Sequence, residues 1–339
     1  MYRLASELPE GPAPAAGLLL YNWAVALSDC ARIVRPQQPD EARELLGAAA
    51  AKYAASLEAS PFSHQALNNY GLVLTDLAAL RPPGERATYA AHAVAKFRRA
   101  VRLRPDFERA VYNLGTVAYA QACTAQEELL AAAECGGGGA AHVAAERAVK
   151  AAFAHAAQYI ALAYALQPDK PGGPYRDSLA AVQRLLPLPH LRAGPLRCVA
   201  PETAGSPNER WTAAWFALDA GGLRAARPPV ADSAAAAAAS VNGSPMAAAA
   251  AAAALPAIMW QLQDITSVRT VCDPSLPAGH AFWLGLAASP AGAYLIAAEA
   301  EEAEGWVDAL SLLLHLSQQQ RLEGLQRALA MPLTRAAAT

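Results

Sequence analysis

The sequence contains no Cys-x-x-Cys pair. Its five cysteines, Cys30, Cys123, Cys135, Cys198 and Cys272, are odd in number and scattered. That pattern excludes a zinc ribbon and a disulfide framework, and it points to a reducing compartment. Charge of one sign is lacking too, since 27 basic and 29 acidic residues leave a net charge of −2. Divided near residue 190, the first part carries 18 basic and 17 acidic residues and the second 9 and 12. Neither part is polarised enough to expect nucleic acid as a partner. No apolar run suits a signal peptide or a membrane span. Met1-Tyr2-Arg3-Leu4 leads into a Pro/Gly/Ala stretch, and the alanine run at 247–254 is short and weakly hydrophobic. The expectation is a soluble, cytoplasmic chain.

Chemistry-bearing motifs are also missing. The glycines at 136–139 lack the Gly-x-x-x-x-Gly-Lys-Ser/Thr pattern that cradles phosphate. The seven histidines stand apart, with none at His-Glu-x-x-His spacing. Glu299, Glu301, Glu302 and Glu304 crowd the start of one helical pattern, where carboxylates favour the helix dipole and stay solvated. No enzyme, no cofactor and no metal site is expected.

What is present is a repeated phrase. An Asn–bulky–small step opens a helical pattern at Asn22-Trp23-Ala24, Asn69-Tyr70-Gly71 and Asn113-Leu114-Gly115. Each is answered by a helical stretch ending in proline, at Pro61, Pro105 and Pro168. Apolar spacing and breakers place helices at 17–34, 40–59, 63–80, 88–103, 107–135 and 140–166, with Asp40 as a candidate N-cap. A shorter helix at 175–186 would cap the block before Pro187 and Pro189. Repetition of this kind signals stacked helix pairs that bury a core only by stacking.

Those residues resemble the tetratricopeptide repeat (TPR). The resemblance extends into the second helices, where Ala49, Tyr53 and Ser56, then Ala93, Phe97 and Ala100, then Ala156, Ile160 and Ala163 precede the prolines at the family's spacing. Openings recur after 47 and 44 residues, against about 34 in the regular repeat. The resemblance implies an α-solenoid of about three helix pairs over 17–187, after a flexible N-terminus at 1–16. It implies a peptide-binding groove lined by the first helices, at Tyr21, Val25, Asn68, Leu72, Arg109, Tyr112, Thr116 and Tyr119. The carboxylate clamp by which one subfamily holds chaperone tails is mostly missing: Asn69 matches and Arg109 could replace a lysine, but Tyr21, Val25 and Asn113 do not. A basic stripe, Lys96, Arg98, Arg99, Arg102 and Arg104, marks the outer helix of the second pair. It could meet an acidic protein or an anionic membrane, although a solvated face is the commoner role for such a run.

The second half changes character. The aromatic run at 211–219 followed by Gly221-Gly222 is a hairpin signature. Further strands are expected at 196–199, 258–262, 267–271, 281–287 and 293–298, closed by a helix at 299–316 with Ala303, Trp306, Leu310, Leu313 and Leu314 on one face. An alanine-rich insert at 229–256 separates the third and fourth strands. Trp211-x-x-x-Trp215-Phe216-x-Leu218 before a glycine turn, with a tryptophan on the closing helix, resembles the pleckstrin-homology (PH) superfold over 190–317, with a C-terminal helix extension and tail at 318–339. That resemblance gives Trp306 the role of plugging one end of the barrel. Phosphoinositide-binding members surround the phosphates with cations. Here only Arg197, Arg210 and Arg224 stand near the corresponding strands, so at most a weak membrane-surface contact is expected.

The fold class expected is α followed by α+β. Domain order resembles the green-lineage family of TPR–PH proteins of the latrunculin-B-hypersensitivity type, linked to the actin cytoskeleton and the trans-Golgi/early-endosome network. The function implied is a non-enzymatic scaffold that binds a protein partner, such as actin or a trafficking protein, and sits in the cytoplasm or peripherally at those membranes. The competing expectation is a peripheral protein that reads phosphoinositides.

Overall fold

Proline and serine set where the first helices begin. In the computed structural model, which describes residues 13–134, 139–168, 174–186, 190–199, 210–226 and 259–330, the chain opens with α1 (Ala13–Val34). Helices α2 (Pro39–Ala59) and α4 (Pro83–Leu103) both carry proline in their first turn, where its fixed φ suits the helix and its missing N–H is not needed. Pro82-Pro83-Gly84, expected as a break before a helix at 88, therefore starts that helix instead. Likewise Gln38, not Asp40, occupies the N-cap of α2, and Asp40 falls in the first turn. Between them α3 (His64–Ala79) is capped by Ser63, whose hydroxyl accepts from the Ala66 amide at 3.2 Å. Helices α5 (Glu108–Glu134) and α6 (Ala140–Leu166) are the longest at 27 residues each. They bracket the glycine stretch, of which 136–138 lie outside the described residues.

The chain's contacts divide into two compact units, Met1–Ala163 and Tyr164–Thr339. In the first, helices pack in sequential pairs, α1 on α2 and α3 on α4, with α3 also beside α2 and α5 beside α4. All nine residues expected at the helix crossings of α2, α4 and α6 are buried. The small residues opposite them are required by distance. A Cβ added at Gly71 would lie 2.5 Å from Cε1 of the fully buried Phe97 ring, and one at Gly115 would lie 2.7 Å from Ile160 Cγ1 and 3.2 Å from the Ala156 carbonyl oxygen. Close backbone approach with one large side chain filling the gap is how such pairs reach interior density. In the first pair Ala24 takes the small position and Tyr53 fills the gap, joined by Ala31, Ala42, Leu46, Val73 and Leu77 in one cluster.

The second unit begins with the last residues of α6. It continues through α7 (Tyr175–Val182) and a 3-10 turn at Gln183–Leu185. Seven strands follow among the described residues: β1 (Arg192–Val199), β2 (Trp211–Asp219), β3 (Gly222–Ala226), β4 (Met259–Gln261), β5 (Ile265–Val271), β6 (His280–Leu286) and β7 (Ser289–Ala297). They form one antiparallel sheet in the order β4-β3-β2-β1-β7-β6-β5. The hairpin expected at Gly221-Gly222 is present: Asp219 pairs with Gly222, whose φ of +137° only glycine adopts readily. Strand β1 begins four residues earlier than expected because Pro195 does not stop it. Pro195 lies opposite Trp215 of β2, while the β1–β7 pairing is confined to Arg197 and Cys198, so one side of the strand at Pro195 has no partner strand, the setting in which a strand tolerates proline. The 229–256 insert joins β3 to β4 and lies outside the described residues.

Helix α8 (Ala300–Gln318) packs on β5, β6 and β7. Trp306 is 2 % exposed, with the Arg192 guanidinium 5.1 Å from its ring centroid. Ala303, Leu310 and Leu313 are buried beside it, and Leu314 is half-buried. A final helix, α9 (Leu322–Ala330), returns to the end of α6: Gly324 lies against Ala165, and Arg321 donates to the Leu166 carbonyl at 3.2 Å. Gln183 donates to the Ala328 carbonyl at 3.3 Å. These contacts are why the contact boundary falls inside α6, ahead of the proline-marked boundary at 187–190.

Candidate functional site

A chain of polar contacts runs along the first helix of each pair. The Asn69 amide on α3 donates to the Tyr21 hydroxyl on α1 at 3.0 Å, and Asn68 donates to the Asn69 oxygen at 3.2 Å. Asn113 on α5 donates to the Asn68 oxygen at 2.9 Å. Asn68 is itself only 4 % exposed, and a buried amide is stable only with its partners in place. The bonds therefore fix α1, α3 and α5 in register.

Beneath this chain lies an aromatic group. Tyr53 sits edge-on to Tyr21 with centroids 5.9 Å apart and stacks on Tyr70 at 6.3 Å. Burial pushes the Tyr53 phenol up to about 12, against hydrogen bonds from Ser28 and Asn69 that favour its ionised form. The Tyr70 phenol is raised by burial as well. Above the group, Val25, Ser28, Asp29, Arg32, Tyr53, Asn69 and Leu72 line a shallow hollow of ≈ 200 Å³. Asp29 and Arg32 pair across its rim at 2.7 Å.

The expected groove residues thus fall into two sets. Tyr21, Val25, Asn68 and Leu72 are brought together, Asn68 as a buried strut rather than a surface contact. On α5, Arg109, Tyr112, Thr116 and Tyr119 recur at three- and four-residue spacing on one side. Arg109 and Thr116 are exposed, Tyr112 is half-buried, and Tyr119, 38 % exposed, rests edge-on against Phe153 of α6 at 5.4 Å. Of the two residues that match a chaperone clamp, Asn69 is engaged by Tyr21 and Arg109 is exposed. The linking roles of Asn69 and Asn113 and the participation of Tyr53 and Ser28 are not read from the sequence. The recurrence of asparagine in the opening phrase was the available signal.

The basic stripe is drawn into structure. The Lys96 ammonium lies 5.0 Å from the Tyr70 ring centroid. Arg98 donates to the Tyr159 hydroxyl at 3.2 Å and Arg99 to the Pro61 carbonyl at 3.0 Å. Arg104 pairs with Asp106 at 3.0 Å and approaches His64 Nε2 at 3.3 Å. Burial, and then the Arg104 charge, hold the His64 imidazole below its usual range. Arg102 is exposed.

In the second unit the three candidate lipid-binding arginines do not converge. Arg197 donates to the Ala278 carbonyl at 3.2 Å, and Arg210 is exposed ahead of β2. Arg224 pairs with Asp219 at 3.5 Å. Arg224 lies opposite Ala217, which lies opposite Ala193. Arg197 is four residues further along β1, about 13 Å away at the usual strand rise. His190 stands 3.6 Å from Asp219, its imidazole lowered by burial and then by Arg224.

Among the described residues no three of His, Cys, Asp and Glu gather as a metal site, and no helix is long and apolar enough to cross a membrane. No family model, curated protein or solved structure matches the chain.

Proposed function

We propose that the helical unit is a TPR-like solenoid, that the sheet unit is a PH-like fold, and that together they form a non-enzymatic adaptor acting in membrane trafficking or actin organisation. The observation that carries this reading is the Tyr21–Asn69–Asn68–Asn113 chain. It holds three first helices together while Val25 and Leu72 line an open hollow and Arg109 and Thr116 remain exposed on the same series of helices. A rigid face with apolar area and hydrogen-bond handles suits an extended protein segment. Support for the solenoid comes from the buried small-and-large crossings repeated in each pair. Support for the PH-like fold comes from two meanders joined through β1 and β7 and closed by a tryptophan-bearing helix. The separation of Arg197, Arg210 and Arg224 favours protein over phosphoinositide as the partner class.

Filamentous actin is the first partner to test. The full chain is sedimented with purified filaments beside the exposed-site variant Arg109→Glu/Thr116→Glu. Pelleting that the variant loses supports the groove and actin together. Equal pelleting of both chains removes the groove from the proposal, and no pelleting removes actin.

A further inference from the structure

Helix α1 is apolar on two opposite sides. Gly17, Ala24, Ser28 and Ala31 are buried, Ala24 and Ala31 in the cluster with Tyr53. A second series, Leu19, Trp23, Ala26, Cys30 and Ile33, stands two residues on from the first, about 200° round the helix axis. This outer series is partly or largely in solvent: Ile33 is 74 % exposed and Leu19 37 %, Cys30 is exposed, and Trp23 and Ala26 are half-buried. Polar groups rim it. Lys52 of α2 stands 3.9 Å from the Trp23 ring centroid on one flank. Asp29 and Arg32, bonded to each other at 2.7 Å, mark the other flank and are the only charged residues among the 22 of α1. An apolar patch rimmed in this way marks an interaction surface. Among the described residues α1 ends the stack of helices, and a helix in that place is ordinarily polar on its outer side. The groove residues Tyr21 and Val25 lie beyond the Asp29 flank, so the outer series is a separate surface.

The spacing of the series names its occupant. Its steps of four, three, four and three residues are the heptad seam of paired helices, about 21 Å long from Leu19 to Ile33. We propose that α1 packs antiparallel on α1 of a second copy of this chain, about a two-fold axis at Ala26, to form the centre of a homodimer. In that register Leu19 meets Ile33 of the second copy and Trp23 meets Cys30, while the two small Ala26 residues let the backbones approach at the axis. The widest side chain of the seam thus faces one of the small ones. On the flank the Asn22 amide faces the Asp29 carboxylate of the second copy, a donor for an acceptor, twice by symmetry. Parallel pairing would instead set Trp23 against Trp23 and leave Asp29 beside the apolar Val34. Any other helix would have to carry this order of large, small and polar residues in reverse, and a second copy carries it by construction. The contact is isologous and closes at two chains.

Sedimentation equilibrium of the full chain tests this. The wild type is expected at twice the 35.3 kDa of one chain at micromolar concentration. Leu19→Glu and Ile33→Lys each set a charge against an apolar side chain twice by symmetry, and each weakens its own dimer at least about tenfold. Mixed in equal amounts, the two variants recover a dimer. One chain of each brings the new carboxylate opposite the new ammonium and leaves the unchanged Ile33 against the unchanged Leu19. Both positions are exposed, and recovery on mixing two weakened chains is not produced by misfolding. A wild type that is monomeric at every concentration overturns the proposal. So does a dimer that neither substitution weakens, which would place the contact on another surface, and so does weakening without recovery on mixing, which would exclude the antiparallel register.

Discussion

Gly71→Ala is the sharpest perturbation of the helix crossings. In an exposed helix interior this substitution gains about 1 kcal/mol, because alanine orders at lower entropic cost than glycine. At Gly71 the new methyl would stand 2.5, 2.7 and 2.8 Å from three carbons of the Phe97 ring, which is fully buried and cannot swing away. Overpacking of this kind costs about 1–3 kcal/mol, so the net effect is a loss of up to about 2 kcal/mol. For a unit of this size that is a fall in Tm of up to about 8 °C. Gly47 on α2 is the internal control, since a methyl there meets nothing within 4 Å. Gly47→Ala should gain about 1 kcal/mol, the opposite sign for the same chemistry. Urea unfolding followed by circular dichroism at 222 nm reads both, and a double-mutant cycle with Phe97→Leu isolates the contact. In the Phe97→Leu background Gly71→Ala should be neutral or stabilising, a coupling of about 2 kcal/mol. A stabilising Gly71→Ala in the wild-type background, or no coupling, would refute the packing argument.

Two further outcomes follow from burial. The Tyr53 phenol, held up to about 12 by burial, is raised above its unfolded value. The stability it contributes is fully present below about pH 10 and is lost as pH rises through about 12; ultraviolet titration should show one tyrosine ionising late, and Tyr53→Phe should remove that step. Trp306→Ala deletes a side chain 2 % exposed and should cost about 3–5 kcal/mol, read in equilibrium unfolding followed by the fluorescence of Trp211, Trp215, Trp260 and Trp283.

Much of the helical half is written in local signals. The Asn–bulky–small phrase and its answering prolines locate the crossings, because Gly71 and Gly115 are where backbones approach and Phe97 and Ile160 are what fills the gap. Helix starts are less legible: Pro82-Pro83 reads as a break, yet proline in a first turn is compatible with the helix it begins. In the sheet, Gly194-Pro195 hides the start of β1 because the sequence does not say which side of a strand is unpaired. The face of the solenoid is legible only as positions. That Asn68 would be spent as a strut, or that Lys96, Arg98 and Arg99 would be drawn onto Tyr70, Tyr159 and the Pro61 carbonyl, depends on contacts tens of residues apart.

The most direct test of the adaptor reading is site-specific photo-crosslinking on the full chain. A photoreactive amino acid replaces Thr116 or Tyr119 on the α5 face, or Ala87 on α4, each exposed. The account predicts that both α5 positions capture the same protein, that Arg109→Glu abolishes the adduct, and that Ala87 does not form it. Equal capture from Ala87, or no adduct from either α5 position, would contradict the account.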